Sequence, residues 1–286
     1  MSPAVERLEG AAPRHPAEDR ARRLIEITLF VAVWVGIGEL LDMNPNIYLV
    51  FGVPLTIAFQ LYVARRPLHE MWVRHAAAFH PTQRDLMVAG LLAIVPLIAF
   101  VSDVSNSAGV PYYLWDLTAI AATVPCAWAL RQFVPRTRRY LLFCLATAGV
   151  LGVFWTVGLE FLDDAFFHRA SDEPSFDLFV FVQYMLLYLP SMFLLEEVVF
   201  RGVLDSHVQQ EGEHHGVLTA IYVSVLWGLW HFPIRGGEAV IALILVMGTT
   251  GVFLSIYWRK SGNLGVSGGT HAFVDSVRNG FGNFPT

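Results

Sequence analysis

Charged residues are scarce in this chain of 286 residues, and lysine is almost missing. Only 15% of the residues are charged, whereas 55% are hydrophobic. Because soluble domains are typically about a quarter charged, this composition is typical of a polytopic membrane protein. The only lysine is Lys260, and the arginines form short clusters between apolar runs. A nucleic-acid-binding protein would carry a continuous basic face instead, so we expect no nucleic-acid partner.

Cysteines and processing signals are also few. The two cysteines, Cys126 and Cys144, lie in separate apolar runs and are too few for a disulfide framework. We therefore expect both to be buried thiols. The first residues of the chain are polar and proline-containing, and they lack the pattern of a cleaved signal peptide. We interpret residues 1–20 as a disordered cytoplasmic tail.

Long apolar segments dominate the rest of the chain. About eight are long enough to cross a bilayer, and they lie at about 24–41, 47–64, 86–102, 111–131, 140–162, 177–204, 217–234 and 238–258. A ninth, at about 264–280, is shorter and glycine-flanked, and it could span the membrane or enter it only partway. Residues 67–84 mix aromatic and basic side chains, which predicts an interfacial amphipathic segment. The predicted fold is therefore an all-α, polytopic transmembrane helix bundle of about eight spans with one interfacial segment.

The positions of the arginines predict the orientation in the membrane. If each segment crosses once, 15 of the 19 Lys and Arg residues fall on the side that carries the N-terminus. The positive-inside rule makes that side cytoplasmic. The preference for arginine over lysine indicates a GC-rich genome. We therefore expect a multi-pass protein of a bacterial plasma (inner) membrane, with the lipid bilayer as its surroundings.

Two adjacent glutamates interrupt one of the most hydrophobic stretches of the sequence. Glu196 and Glu197 follow a nearly continuous apolar run, and Arg201 comes four residues after Glu197. Placing a charge inside a membrane is costly, so such residues usually have a function. On a helix, Glu197 and Arg201 share a face and can pair, whereas Glu196 points about 100° away. We expect the pair to be structural support and Glu196 to be the carboxylate that reacts.

Two histidines lie in the apolar segments that follow. His231 ends the motif Trp-Gly-Leu-Trp-His, and His271 precedes Asp275 by four residues. A polar turn at 211–216 lies midway between Glu196 and His231, so an antiparallel helical hairpin would bring these two residues to the same depth. A carboxylate and a histidine can together deprotonate a water molecule, and donors in a low-dielectric site can stabilise an oxyanion. The pattern favours hydrolysis within the membrane.

These motifs resemble those of the CPBP family, which joins CAAX proteases with bacteriocin-processing enzymes and includes the type II CAAX prenyl endopeptidases. The motifs are Glu-Glu-x-x-x-Arg at 196–201, an aromatic residue shortly before His231, and His-x-x-x-Asp at 271–275. They occur in the family's order over about 177–280. The resemblance implies a catalytic helical core at 177–286, preceded by N-terminal transmembrane helices at 21–176.

The resemblance implies an intramembrane endopeptidase that cleaves a membrane-associated protein or peptide. Glu196 and His231 would activate water, and His271 with the residue at position 275 would stabilise the tetrahedral oxyanion. Asp275 stands where the best-studied relatives have Asn, and an ionised carboxylate would repel an oxyanion. Asp275 would therefore be protonated, orient His271, or help to bind a metal.

Aromatic residues beside these motifs are candidates for the substrate pocket. Trp227 stands where the family commonly has Phe, which preserves an aromatic wall. Phe200 lies next to Arg201 in the glutamate motif. We expect Phe200 and Trp227 to contribute to substrate binding.

Two alternative functions stay open at the level of sequence. One is a zinc-dependent intramembrane metalloprotease with Glu196, His231 and His271 as ligands, since two histidines and a carboxylate form a known catalytic zinc set. The chain lacks His-Glu-x-x-His, so the preferred interpretation requires no cofactor. The other is an ion-coupled transporter or a membrane scaffold, because intramembrane Glu and His also serve proton relays. The sequence predicts no oligomeric state.

Overall fold

Helices form almost all of the secondary structure in the computed structural model, which describes residues 16–158, 175–209, 216–235 and 240–281. These parts of the chain contain nine helices and no strand, which confirms the all-α prediction. The helices are α1 (Pro16–Leu40), α2 (Pro45–Ala58, continuing through Phe59–Val63), α3 (Gln83–Ser105), α4 (Val110–Arg131), α5 (Pro135–Cys144, continuing to Gly158), α6 (Leu178–Met192, continuing to Val208), α7 (Val217–Trp230, followed by a turn at Phe232–Arg235), α8 (Val240–Ser261) and α9 (Leu264–Gly280).

Short polar side chains start several of these helices. The Thr82 hydroxyl and the Asp85 carboxylate form a reciprocal capping box at the start of α3. The Asp177 carboxylate accepts hydrogen bonds from the second and third residues of α6, and the Asn263 side chain accepts one from Gly265 N–H at the start of α9. Each cap satisfies backbone donors that the helix itself leaves without partners.

Five helices in the described residues are long and apolar enough to cross a membrane: α2 over Pro45–Val63, α3, α4, α6 over Leu178–Val208 and α7 over Val217–Ile234. This number is smaller than the predicted eight. The apolar stretch of α1 also contains Arg23, Glu26 and Glu39, while the predicted spans 140–162 and 238–258 extend into residues that the structure does not describe. Only 22% of the most apolar window of α3 is buried, so its outer face is suited to lipid contact.

The predicted tail and the last segment can be compared with the described helices. Helix α1 begins at Pro16, so the end of the expected tail 1–20 is helical, and residues 1–15 lie outside the described part. Helix α9 has 17 residues. At 1.5 Å per residue it is about 26 Å long, which is shorter than the roughly 30 Å core of a bilayer. Its length lies at the lower limit for a membrane span, so whether α9 crosses fully or enters only partway stays a prediction.

The segment predicted to lie at the interface, 67–84, packs against protein. It forms a short 3₁₀ turn at Leu68–Met71, and Met71 is buried. A Cβ atom at Gly202 of α6 would lie 2.4 Å from the Met71 carbonyl oxygen, so only glycine permits this close approach. The backbone of the segment also pairs with the start of α9 through hydrogen bonds from Arg74 N–H to Gly262 and from Leu264 N–H to Trp72.

An ion pair joins α6, α7 and α8 at the same end of the bundle. The buried guanidinium of Arg259 donates from Nε and Nη2 to both carboxylate oxygens of Asp205, at 2.8 and 2.6 Å. It also donates to the Gly216 carbonyl oxygen, at 2.8 Å. A bidentate pair of this kind fixes both distance and angle. It holds together the ends of α6, which carries Glu196, of α7, which leads to His231, and of α8, which lines the neighbouring cleft.

The two cysteines lie inside this helical core. Cys126 and Cys144 are both fully buried, and both are free thiols. The prediction of buried thiols is confirmed.

Candidate functional site

Helix α6 widens where it carries the two glutamates. From Phe193 to Asp205 its backbone is π-helical over 13 residues, with hydrogen bonds that span five residues instead of four. Such wide turns are rare in proteins as a whole, and those that do occur are often found at functional sites. The consequence is that both adjacent carboxylates point into the protein: Glu196 is 7% exposed and Glu197 is fully buried.

Glu196 faces helix α7. Its Oε2 atom accepts a hydrogen bond of 2.8 Å from the indole Nε1–H of Trp227 and lies 3.8 Å from Nε2 of His231. The predicted pairing of Glu196 and His231 at one depth is therefore confirmed. The polar turn that predicted this depth lies, except for Gly216, outside the described residues.

His231 is held by its other ring nitrogen. Its Nδ1 atom lies 2.8 Å from the carbonyl oxygen of Trp227. A carbonyl can only accept, so Nδ1 carries the proton. In the neutral ring Nε2 is then the acceptor nitrogen, and this nitrogen faces Glu196.

Glu197 faces helix α9 and contacts two cationic or polar side chains. Its Oε1 atom lies 3.0 Å from Nδ1 of His271 and 3.6 Å from Nη1 of Arg201. The predicted pairing of Glu197 with Arg201 is present, but His271 is the closer partner. Glu197 therefore links the glutamate motif to the second histidine, which sequence spacing did not indicate.

The buried guanidinium of Arg201 is compensated by Glu197 and by an aromatic ring. Arg201 is fully buried, and its guanidinium carbon lies 4.2 Å from the centre of a Trp227 ring. A cation over an aromatic face is stabilised more strongly when it is desolvated. A Cβ atom at Gly251 of α8 would lie 2.7 Å from Nη2 of Arg201, so glycine at this position makes room for the guanidinium.

Trp227 lies at the centre of the whole arrangement. Its indole donates to Glu196, and its ring also packs edge-on against His231 and His271, at centroid distances of 5.8 and 5.2 Å. It thus contacts members of both the Glu196–His231 pair and the Glu197–His271 pair. The sequence predicted an aromatic wall at this position but not the hydrogen bond to the glutamate.

Phe200 is placed differently from Trp227. It is fully buried and packs edge-on against Trp230 at 5.4 Å. Trp227 lines a small cleft beside the site, with a cavity volume of about 30 Å³, whereas Phe200 does not. Of the two pocket candidates, the structure brings only Trp227 to a cleft, and Phe200 supports the aromatic packing behind it.

The cleft runs between α5, α8 and α9 beside His271 and Asp275. Its other lining residues are apolar or carry a hydroxyl: Gly152, Trp227, Val246, Met247, Thr250, Leu254, Thr270 and Val274. Nε2 of His271 lies 3.5 Å from Oδ2 of Asp275. His271 therefore lies between two carboxylates, with a hydrogen bond to Glu197 and a longer contact to Asp275.

The three ligands of the zinc alternative do not converge. No group of three His, Cys, Asp or Glu residues within the described ranges is arranged to hold a metal ion. Glu196 and His231 are neighbours, but His271 contacts Glu197 and Asp275 instead. The donor set of these side chains, as placed here, does not fit a tetrahedral zinc site.

Comparison with known proteins identifies the region that holds this site. Residues 178–277 match the family of Rce1-like type II CAAX prenyl endopeptidases. The match runs from the start of α6 almost to the end of α9 and includes every candidate residue of the site. Searches of curated proteins and of solved structures found no match. The resemblance inferred from the motifs is confirmed for this part of the chain.

Proposed function

Because residues 178–277 match the Rce1-like type II CAAX prenyl endopeptidases, a family of membrane proteases, we propose that this multi-pass membrane protein is an intramembrane endopeptidase. It hydrolyses a peptide bond in a membrane-associated protein or peptide, with water activated by Glu196 and His231. The proposed mechanism requires no cofactor.

The contact between Glu196 and His231 carries this proposal. Two atoms 3.8 Å apart can both contact one water oxygen at about 2.8 Å. Because Nδ1 of His231 donates to a backbone carbonyl, Nε2 and the Glu196 carboxylate are both acceptors. One water can then donate a hydrogen to each of them, and either group can remove a proton as the oxygen attacks.

His271 stabilises the charge that develops on the carbonyl oxygen. It is the site residue that both lines the cleft and contacts Glu197. Glu197 orients the ring through Nδ1, so that Nε2 faces Asp275 and the cleft. In this arrangement Asp275 holds the Nε2–H in place until a substrate oxygen replaces it, which assigns Asp275 an orienting role. Donors that are fixed in advance in a dry site lower the barrier most.

The surroundings of the cleft favour a substrate that reaches the protein through the membrane. The cleft lies among apolar side chains of α5, α8 and α9, in a bundle whose outer helices expose apolar faces. In this proposal a lipid anchor holds the peptide beside the bundle and brings its scissile bond to the cleft. We further propose that the N-terminus lies in the cytoplasm, because of the positions of the arginines, and that the membrane is a bacterial inner membrane, because of the preference for arginine over lysine.

A search for new peptide ends in whole membranes tests the activity even when the substrate is unidentified. Membranes that contain equal amounts of wild-type protein, Glu196→Gln or His231→Ala are compared by mass spectrometry of protein termini. New C-termini are expected only with the wild type. Termini that are equally abundant with both variants would contradict the proposal and leave a transporter or scaffold function.

The same membranes distinguish the metal alternative. Treatment with a strong chelator, followed by measured removal of metal, leaves cleavage unchanged if Glu196 and His231 activate water alone. Loss of cleavage that added zinc restores would favour the metalloprotease. Termini at prenylated and at unmodified sequences are scored separately, so the same data show whether a prenyl group is required.

A further inference from the structure

A basic groove lies at one end of the bundle, away from the glutamates. It has a cavity volume of about 430 Å³ and is formed by the start of α1, the end of α2 and the end of α6. Its lining residues are Arg22, Arg23, Glu26, Tyr62, Val63, Ala64, Arg65, Arg66 and His207. None of these residues takes part in the mechanism above.

The groove carries an excess of positive charge. Asp19 pairs with Arg22 and Arg23 at 3.3 and 3.0 Å, and Glu26 contacts His207 at 2.7 Å. Arg65 and Arg66 have no ion-pair partner among the residues described. Two guanidinium groups that face the same groove repel each other unless an anion lies between them.

The backbone of α2 ends so that both guanidinium groups reach the groove. Arg65 has a φ angle of 54°, in the left-handed region that is unfavourable for residues with a side chain. This conformation closes the C-terminus of α2, where the Arg66 N–H donates to the Gln60 carbonyl oxygen at 3.0 Å. It ends the helix at the groove, so that Arg65 and Arg66 both line it.

Exposed apolar side chains continue from the rim of the groove along the outer surface. Leu61 and Tyr62 of α2 are 42% and 77% exposed, and Ile25 and Leu29 of α1 are 58% and 59% exposed. An anion with attached acyl chains could place its phosphate in the groove and its chains along these side chains. Basic pockets between transmembrane helices bind anionic lipid headgroups in this way.

We propose that this groove binds the phosphate of an anionic phospholipid. Arg65 and Arg66 contact the phosphate, and the acyl chains lie against the exposed side chains of α1 and α2. The bound lipid also neighbours helix α6, because Arg23 donates to the His207 carbonyl at 3.2 Å and Glu26 contacts the His207 ring. The groove therefore joins the lipid to the helix that carries Glu196.

Native mass spectrometry of the purified full-length protein in detergent tests this site. Phosphatidylglycerol, phosphatidylcholine and inorganic phosphate are each added, and the affinity of each is measured. The wild type is expected to bind phosphatidylglycerol at least tenfold more tightly than phosphatidylcholine. Arg65→Gln/Arg66→Gln should weaken phosphatidylglycerol binding about 30-fold, because each arginine near a membrane surface contributes roughly a factor of five.

A matched variant controls for the loss of two positive charges. Arg138 and Arg139 are exposed at the start of α5 and lie outside the groove, so Arg138→Gln/Arg139→Gln should leave phosphatidylglycerol binding within about twofold. Equal losses in the two double variants would overturn the proposal. So would competition by inorganic phosphate at the same concentration as the lipid, since the site would then bind free phosphate.

Discussion

Replacing Glu197 with glutamine removes one negative charge from the centre of the bundle and keeps the shape of the side chain. In the wild type this carboxylate lies 3.6 Å from Arg201 and 3.0 Å from His271. Both Glu197 and Arg201 are fully buried. In Glu197→Gln the guanidinium loses its only carboxylate partner within the described residues and remains desolvated.

The expected loss of stability follows from that uncompensated charge. Removing one partner of a buried ion pair typically costs about 3–5 kcal/mol. Replacing both partners by uncharged groups of similar shape costs less, because no lone charge then stays buried. We therefore expect Glu197→Gln to lower the free energy of unfolding by about 3–5 kcal/mol. The double variant Glu197→Gln/Arg201→Met should lose at least about 1 kcal/mol less than this single variant.

Unfolding in mixed micelles with increasing sodium dodecyl sulfate measures these differences. Glu39→Gln is the matched control, because Glu39 is exposed at the end of α1 and its substitution should change the unfolding free energy by less than about 0.5 kcal/mol. The reasoning is refuted if Glu197→Gln is as mild as the control. It is also refuted if the double variant is less stable than Glu197→Gln alone.

Two further substitutions test close contacts of α6. Gly202→Ala should lower the free energy of unfolding by about 1–3 kcal/mol, the usual cost of overpacking, since the new Cβ meets the Met71 carbonyl oxygen. Gly248→Ala is the control, because the space around its Cβ position is open. In the same unfolding assay this control should be neutral or stabilising. Trp227→Phe removes the donor to Glu196 and should slow peptide cleavage about tenfold, because a hydrogen bond to a charged group contributes at least about 1.5 kcal/mol. An unchanged cleavage rate in Trp227→Phe would show that this hydrogen bond does not contribute to catalysis.

The helices of this protein could be predicted from the sequence because each is long, apolar and bounded by polar or proline-containing turns. The common depth of Glu196 and His231 could also be predicted, since residues that are equally distant from the turn of a helical hairpin lie at the same depth. The observed distance of 3.8 Å between these side chains agrees with it.

The contacts of Glu197 could not be predicted in the same way. Spacing along a regular helix indicates its pairing with Arg201, but the wide turns at Phe193–Asp205 rotate the side chain toward α9 and His271. No residue type in this stretch is specific for a π-helix. The donation from Trp227 to Glu196 is likewise a tertiary contact, because an indole at that position could equally have packed as an apolar wall.

The segment 67–84 shows a similar limit. Its mixture of aromatic and basic residues is typical of a helix that lies on a membrane surface. The structure also packs Met71 against Gly202 and pairs the backbone of the segment with the start of α9. The composition alone does not indicate these contacts with the protein.

A double-mutant cycle on Glu196 and His231 tests the central claim most directly. Single-turnover cleavage rates are measured for Glu196→Gln, His231→Ala and the double variant, with one peptide from the terminus search. When two groups act on the same water, removing either one also removes most of the rate contribution of the other. The double variant should therefore be no more than about threefold slower than the slower single variant. If the two losses multiply instead, Glu196 and His231 act independently, and activation of one shared water is contradicted.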